Sequence, residues 1–161
     1  MIEPRGIEIV PAEIGHIVQI SERLRQRERR AYDQLPDAPR ILTRALAASF
    51  IANAALVDGE VAVVWGLSAS LLSNSAELWM IGTDLIEQHR IAFLRRSLAA
   101  IDEFAPYFRN LHGWVAADFA KSIRWLEWLG FEVGREAENG ILSFRGTLPL
   151  RKTQRRGFGV R

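Results

Sequence analysis

Hydrophobic positions along this chain switch between the two-residue period of a strand and the three-to-four-residue period of a helix, and the switch is sharpest at Ile123–Val133, IRWLEWLGFEV. Counted at about 100° per residue, Phe119, Ser122, Ile123, Leu126 and Leu129 share one face, with Lys121, Arg124 and Glu127 opposite, so a helix there buries the first set against a sheet. Gly130 stands where a helix needs a residue of positive φ to stop, and Phe131 and Val133 resume at strand period. Trp125 and Trp128 fall off the main stripe; each is either packed under a neighbouring segment or part of an apolar contact surface.

The same reading predicts a first strand at Gly6–Val10 and a helix opened by Pro11 and Ala12, with Ile14, Ile17, Val18 and Leu24 inward, running to about Tyr32. The second half of that helix is the charge run ERLRQRERRAYD. Arg23, Arg27 and Arg30 share a face there, and glutamates are interleaved at pairing distance; this is either a solvated helix face or a contact for an acidic partner. Pro36 and Pro39 break the chain, and Ile41–Phe50 is a second helix with Ile41, Leu42, Ala45, Leu46 and Phe50 inward. Ala52–Val57 and Val61–Leu67 flank Asp58-Gly59, a pair suited to a tight hairpin. Ala76–Gly82 has the near-continuous apolar content of a strand covered on both faces. Thr83 or Asp84 caps the next helix, with Glu87 at capping-box spacing; Ile91, Leu94, Leu98, Ile101 and Ala105 are its inward stripe, and Pro106 closes it. Strands follow at Asn110–Ala117 and, after an ENG turn, at Ile141–Phe144. The order is βααβββαβαββ, an α/β (α+β) domain with a mixed, mainly antiparallel central sheet and about four flanking helices.

With 161 residues, 48% of them apolar, the chain can bury one sizeable core, and residues 1–150 read as one domain followed by a basic tail at 151–161. No run of about 18 apolar residues and no leader-like start is present, so the expectation is a protein without a membrane span, in the cytoplasm of a bacterial host or associated with a virion. The absence of cysteine removes disulfides, thiol nucleophiles and thiolate metal sites together. His16, His89 and His112 have no zinc-ligand spacing, so no metal is expected. A net charge of +2, and basic clusters without interleaved aromatics, argue against nucleic acid as the main partner.

The succession of elements, closing on a WLxxLGF-type ending, resembles the GNAT acyl-CoA N-acyltransferase family over roughly Gly6–Leu148. The wording VDGEVAVVWG, ELWMIGT, HRIAFLRRS and SIRWLEWLGFE is further similar to GNAT-like proteins of tailed phages and prophages that include internal virion (core) proteins. For an active member the resemblance implies acetyl-CoA as cofactor. The pantetheine arm would lie along the backbone of Met80, Ile81 and Gly82. The pyrophosphate would lie on the turn Gln88, His89 and Arg90 at a helix start. The family's loop has the form Gln/Arg-x-x-Gly-x-Gly/Ala, and here Ile91 and Phe93 occupy the glycine positions. A Cβ there obstructs the approach of backbone to phosphate, and the apolar stripe of the helix draws both residues into the core. The family's asparagine before the last helix corresponds to Phe119, and the tyrosine that protonates the leaving thiolate corresponds to Leu126; neither can exchange protons. Glu77, His112 and Asp118 remain as acid–base candidates facing the cleft implied by the resemblance. Three functions stay open: a GNAT-fold protein with a degenerate coenzyme site, acting through contacts of Trp125, Trp128, Arg23 and Arg27 with a phage structural protein, a host protein or a second copy; an active N-acetyltransferase with an atypical loop; or a binder of an acidic ligand or nucleic acid through the basic tail.

Overall fold

The computed structural model describes residues 6–27, 37–69, 73–117 and 120–150. In chain order the elements are β1 (Ile7–Pro11), α1 (Ile14–Arg27), α2 (Ala38–Ala48), β2 (Ile51–Val57), β3 (Glu60–Ala69), β4 (Ser75–Gly82), α3 (Leu85–Gln88), α4 (Arg90–Asp102), β5 (Asn110–Ala116), α5 (Ala120–Leu129), β6 (Glu132–Val133) and β7 (Ile141–Thr147). The seven strands are ordered β1-β2-β3-β4-β5-β7-β6, antiparallel at every recorded ladder except the parallel β4–β5 pair. The chain divides into two compact units, Met1–Ser68 with Leu78–Arg90 and Ala69–Glu77 with Ile91–Arg161.

In the first unit the β2–β3 hairpin closes at Asp58-Gly59, both with positive φ (50° and 85°), which matches the right-handed twist of the strands it joins. Its core is mainly aliphatic, with Trp79 of β4 added: Ile17, Ile20 and Leu24 of α1, Leu42 of α2, and Ala54, Val64 and Leu67 of the strands are buried. The inward stripe of α1 is therefore Ile17, Ile20, Ser21 and Leu24, whereas Ile14 and Val18 are 60% and 51% exposed. Those two were expected inside; they lie on the flank of the stripe, beyond the arc that meets the sheet. Pro39 does not separate α2 from what precedes it. It occupies the first turn of that helix, where its missing N–H has no helical partner to lose. Ile41 and Phe50, also expected inside, are exposed.

In the second unit β5 and β7 form a seven-residue antiparallel ladder, and β7 runs three residues past the expected Phe144. α5 ends as its sequence demands. Gly130 has φ 101°, its N–H donates to Glu127 O at 3.0 Å, and the Phe131 N–H donates to Leu126 O at 3.0 Å, the paired bonds of a Schellman stop. Phe131 then meets the Phe144 ring edge-on at 5.1 Å. The single helix expected between β4 and β5 is instead two, α3 and α4, interrupted at His89, whose φ of −129° leaves the helical region.

Candidate functional site

The coenzyme segment expected from the resemblance begins on β4. Met80 and Gly82 are half-buried and Ile81 is buried. The exit from β4 is tied to β3, because both the Thr83 N–H (2.8 Å) and its hydroxyl (3.0 Å) donate to Ala62 O. The Thr83 hydroxyl also accepts the Leu85 N–H at 3.4 Å, so Thr83 takes the capping position at the start of α3 while Asp84 makes no side-chain cap. The Asp84 carboxylate is turned to Arg23 of α1 (Nε–Oδ1 2.9 Å), whose guanidinium also reaches Glu60 at 2.6 Å. Gln88 and Arg90 are exposed and His89 is half-buried.

Ile91 and Phe93, at the family's glycine positions, lie in the first turn of α4 and part company. Phe93 is 3% exposed and belongs to the core as expected; Ile91 is 64% exposed, contrary to that expectation. At 100° per residue Ile91 is 200° from Phe93, so both cannot face inward. The turn that would have to bring bare amides to an anion carries an isoleucine exposed to solvent and a phenylalanine fixed in the core.

Of the acid–base candidates, Glu77 and His112 are register partners on the parallel β4–β5 ladder. Asp118 lies outside the described residues. His112 is in turn opposite Arg145 of β7, and Arg145 is opposite Glu132 of β6. Register partners share a sheet face, so Glu77, His112, Arg145 and Glu132 form one row across four strands. Arg145 Nε is 3.7 Å from Glu132 Oε2, and both side chains are largely exposed. A furrow of about 420 Å³ lined by Ser75, Asn110, His112, Glu132, Arg145 and Thr147 runs along this row, and a second of about 330 Å³ shares His112, Glu132 and Arg145. Neither the Glu77 carboxylate nor the His112 imidazole makes a hydrogen bond among the described residues. Sequence reasoning found two members of the row and missed Arg145 and Glu132. The signal for these two was strand register, which period alone does not carry.

The expected contact residues separate too. Trp128 is 39% exposed, at the end of α5. Trp125 is 5% exposed and packed inside, with an indole N–H that has no hydrogen-bond partner among the described residues. Arg23 is engaged within the chain by Asp84 and Glu60, and the side chain of Arg27 lies outside the described residues. Because the Trp125 N–H is buried unsatisfied, Trp125→Phe relieves a desolvation cost of about 1–3 kcal/mol while forfeiting part of the ring's packing. The expected result is a change in urea-unfolding free energy of no more than about 1 kcal/mol, far less than a buried tryptophan normally costs to replace.

No known family profile matches the chain, and no curated protein does so by sequence. Among solved structures, an acetyltransferase of the GNAT family from Staphylococcus aureus is similar over 88% of this chain and 99% of its own, with TM-score 0.61 and 14% identity. A ribosomal L7/L12 alpha-N-protein acetyltransferase in complex with coenzyme A matches over 91% and 96%, with TM-score 0.59 and 13% identity. The ribosomal-protein-S18-alanine N-acetyltransferase from Escherichia coli matches over 88% and 94%, with TM-score 0.58 and 13% identity. The fold is that of GNAT-family acetyltransferases, a mixed α/β architecture on a seven-stranded, mostly antiparallel sheet. Among the described residues no helix is long and apolar enough to cross a membrane.

Proposed function

We propose that this chain is a GNAT-scaffold protein whose coenzyme site has been rebuilt, and that it works through protein contacts, in the manner of the GNAT-like phage and prophage proteins its wording resembles, rather than by acyl transfer. The observation that carries this reading is Ile91. An exposed isoleucine in the first turn of α4 occupies the place where the family needs backbone bare enough for a doubly charged group. Leu126 agrees with it, since the position of the proton-donating tyrosine is taken by a fully buried aliphatic side chain. A fold carries an activity only where its site survives.

A second reading, an acetyl-CoA-dependent N-acetyltransferase with an atypical loop, has one observation in its favour. β4 continues as strand backbone through Met80 to Gly82, and strand backbone of that kind is what a pantetheine arm pairs with in the family the chain resembles. In that reading Gln88, His89 and Arg90 would receive the phosphates.

Titration calorimetry with acetyl-CoA and with CoA separates the two. The expected result is no saturable heat up to millimolar ligand. Micromolar binding that is lost in Gln88→Ala or Arg90→Ala would overturn the proposal in favour of the enzyme.

A further inference from the structure

Asn139 and Gly140 are the tip of a two-residue turn. The Glu138 N–H donates to Ile141 O and the Ile141 N–H to Glu138 O, both at 3.0 Å, and the two tip residues have φ of 52° and 76°. These values define a type I′ turn, in which ψ of the first tip residue is about +30°. Both residues are exposed, and the turn is moored to the end of β5 because Gly140 O accepts the Ala117 N–H at 2.8 Å. The peptide between Asn139 and Gly140 is the one part left untied: neither its C=O nor its N–H has a hydrogen-bond partner among the described residues.

An asparagine side chain is open to attack by the amide nitrogen of the residue that follows it. That nitrogen loses its proton and bonds to Cγ, ammonia leaves, and a five-membered succinimide ring remains, which water opens to aspartate or isoaspartate. Closure needs the nitrogen on the side-chain side of the Cα–C bond, and a type I′ turn holds it on the other side. A single peptide flip corrects this. It changes ψ of Asn139 together with φ of Gly140 and yields a type II′ turn, the other two-residue turn that a hairpin accepts. Type II′ needs positive φ at its first tip residue, which Asn139 already has, and a residue without Cβ at position 140 passes between the two signs of φ freely. The flip breaks none of the bonds that close or moor the turn.

We propose that Asn139 is a site of spontaneous deamidation in the folded protein, with water as the only co-reactant, and that the turn passes through the succinimide while it stays closed. The other asparagines are held away from the reaction. Asn53 and Asn110 lie in β2 and β5, where ladder pairing on both sides fixes an extended backbone. Asn74 O accepts the Arg109 and Asn110 N–H groups at 2.9 and 3.3 Å, and the Ser75 N–H that would attack donates to Ser73 Oγ at 3.1 Å, so that peptide is tied at both ends. The isoaspartate product adds a carbon to the main chain at the tip and a negative charge between Glu138 and β7, so a two-residue turn can no longer close there. The proposal goes beyond the reading of the coenzyme site and holds whether or not coenzyme binds.

Incubation of the full chain at neutral pH, folded and unfolded in guanidinium chloride, tests it. Trypsin then releases residues 136–145 as one peptide with Asn139 as its only asparagine, and mass spectrometry follows the exchange of amide for acid while chromatography separates aspartate from isoaspartate. Hydrogen exchange at the Ile141 N–H, read on the same folded sample, reports how seldom the turn opens. Folding is expected to slow the reaction at Asn139 by a factor at least about tenfold smaller than the protection of the Ile141 N–H, with Asn139 the fastest asparagine of the folded chain. A slowdown within about tenfold of that protection overturns the proposal, because the reaction would then be waiting for the turn to open. Faster conversion at Asn53, Asn74 or Asn110 of the folded chain overturns it equally.

Discussion

Phe93→Gly, half of the change that would restore the family's phosphate loop, is expected to unfold the protein or bring it close to unfolding. Phe93 is 3% exposed, and truncating a buried phenylalanine to alanine costs about 3–5 kcal/mol in lost transfer energy and cavity. Glycine in place of alanine inside α4 adds about 1 kcal/mol. The sum, about 4–6 kcal/mol, consumes a large part of the roughly 5–15 kcal/mol that holds a typical domain together. Ile91→Gly, at an exposed position in the same turn, should cost about 1 kcal/mol or less. Thermal unfolding followed by circular dichroism reads both, with a midpoint more than about ten degrees lower for Phe93→Gly and a drop of a few degrees for Ile91→Gly. The contrast bears on function. If Phe93 were an incidental occupant of a loop, its loss would be tolerated and the loop could be converted back to a phosphate cradle. A core role means that glycine cannot be placed at position 93 without a large loss of stability. A Phe93→Gly variant as stable as the parent would show that the side chain is dispensable, and would count against the proposed loss of the coenzyme site.

What the sequence disclosed, and what it withheld, follows from the range over which each signal acts. The Asp58-Gly59 hairpin and the Gly130 stop are decided by the backbone preferences of one or two residues, so both were legible and both are found with positive φ. The break at His89 was not, because Asp84 to Ile101 supports helix throughout and only the register of two short apolar stripes distinguishes one helix from two. Trp125 stood open between packing and a contact surface because a narrow stripe through Leu126 and Leu129 excludes it. It is nevertheless only about 40° from Leu129, and the arc that α5 buries is wide enough to take it in. Ile14 and Val18 were misplaced in the opposite sense: apolar residues at helical spacing were read as inward when the sheet covers a narrower arc. Arg23 read as one cation in a charge run, yet it is the residue that ties α1 to Asp84 and to Glu60, partners 61 and 37 residues away. The polar row of Glu77, His112, Arg145 and Glu132 is assembled by pairing between strands far apart in the chain, information that no local window holds.

Gly66→Ala, a single added methyl on β3, is expected to destabilise the protein by about 2–5 kcal/mol, through overpacking and through a displaced hydrogen bond. A Cβ built on Gly66 would fall 2.6 Å from Trp79 Nε1 and 2.7 Å from two carbons of the same indole. The ring has no room to yield. Trp79 is buried, and its N–H donates to the Ser49 hydroxyl at 2.7 Å, which itself donates to Ala45 O at 2.6 Å. Displacing the indole therefore strains β3 and β4 and leaves a buried donor unsatisfied near the C-terminal end of α2. Urea unfolding measures the loss directly. A double-mutant cycle with Trp79→Phe, which removes the atoms that the methyl would meet, identifies its cause. Trp79→Phe alone should be costly, because it vacates part of the core. Added to Gly66→Ala it should cost less than the two losses separately, by about 1–3 kcal/mol, since the smaller ring makes way for the methyl. Strict additivity would mean that Gly66 is required for some reason other than the tryptophan lying against it.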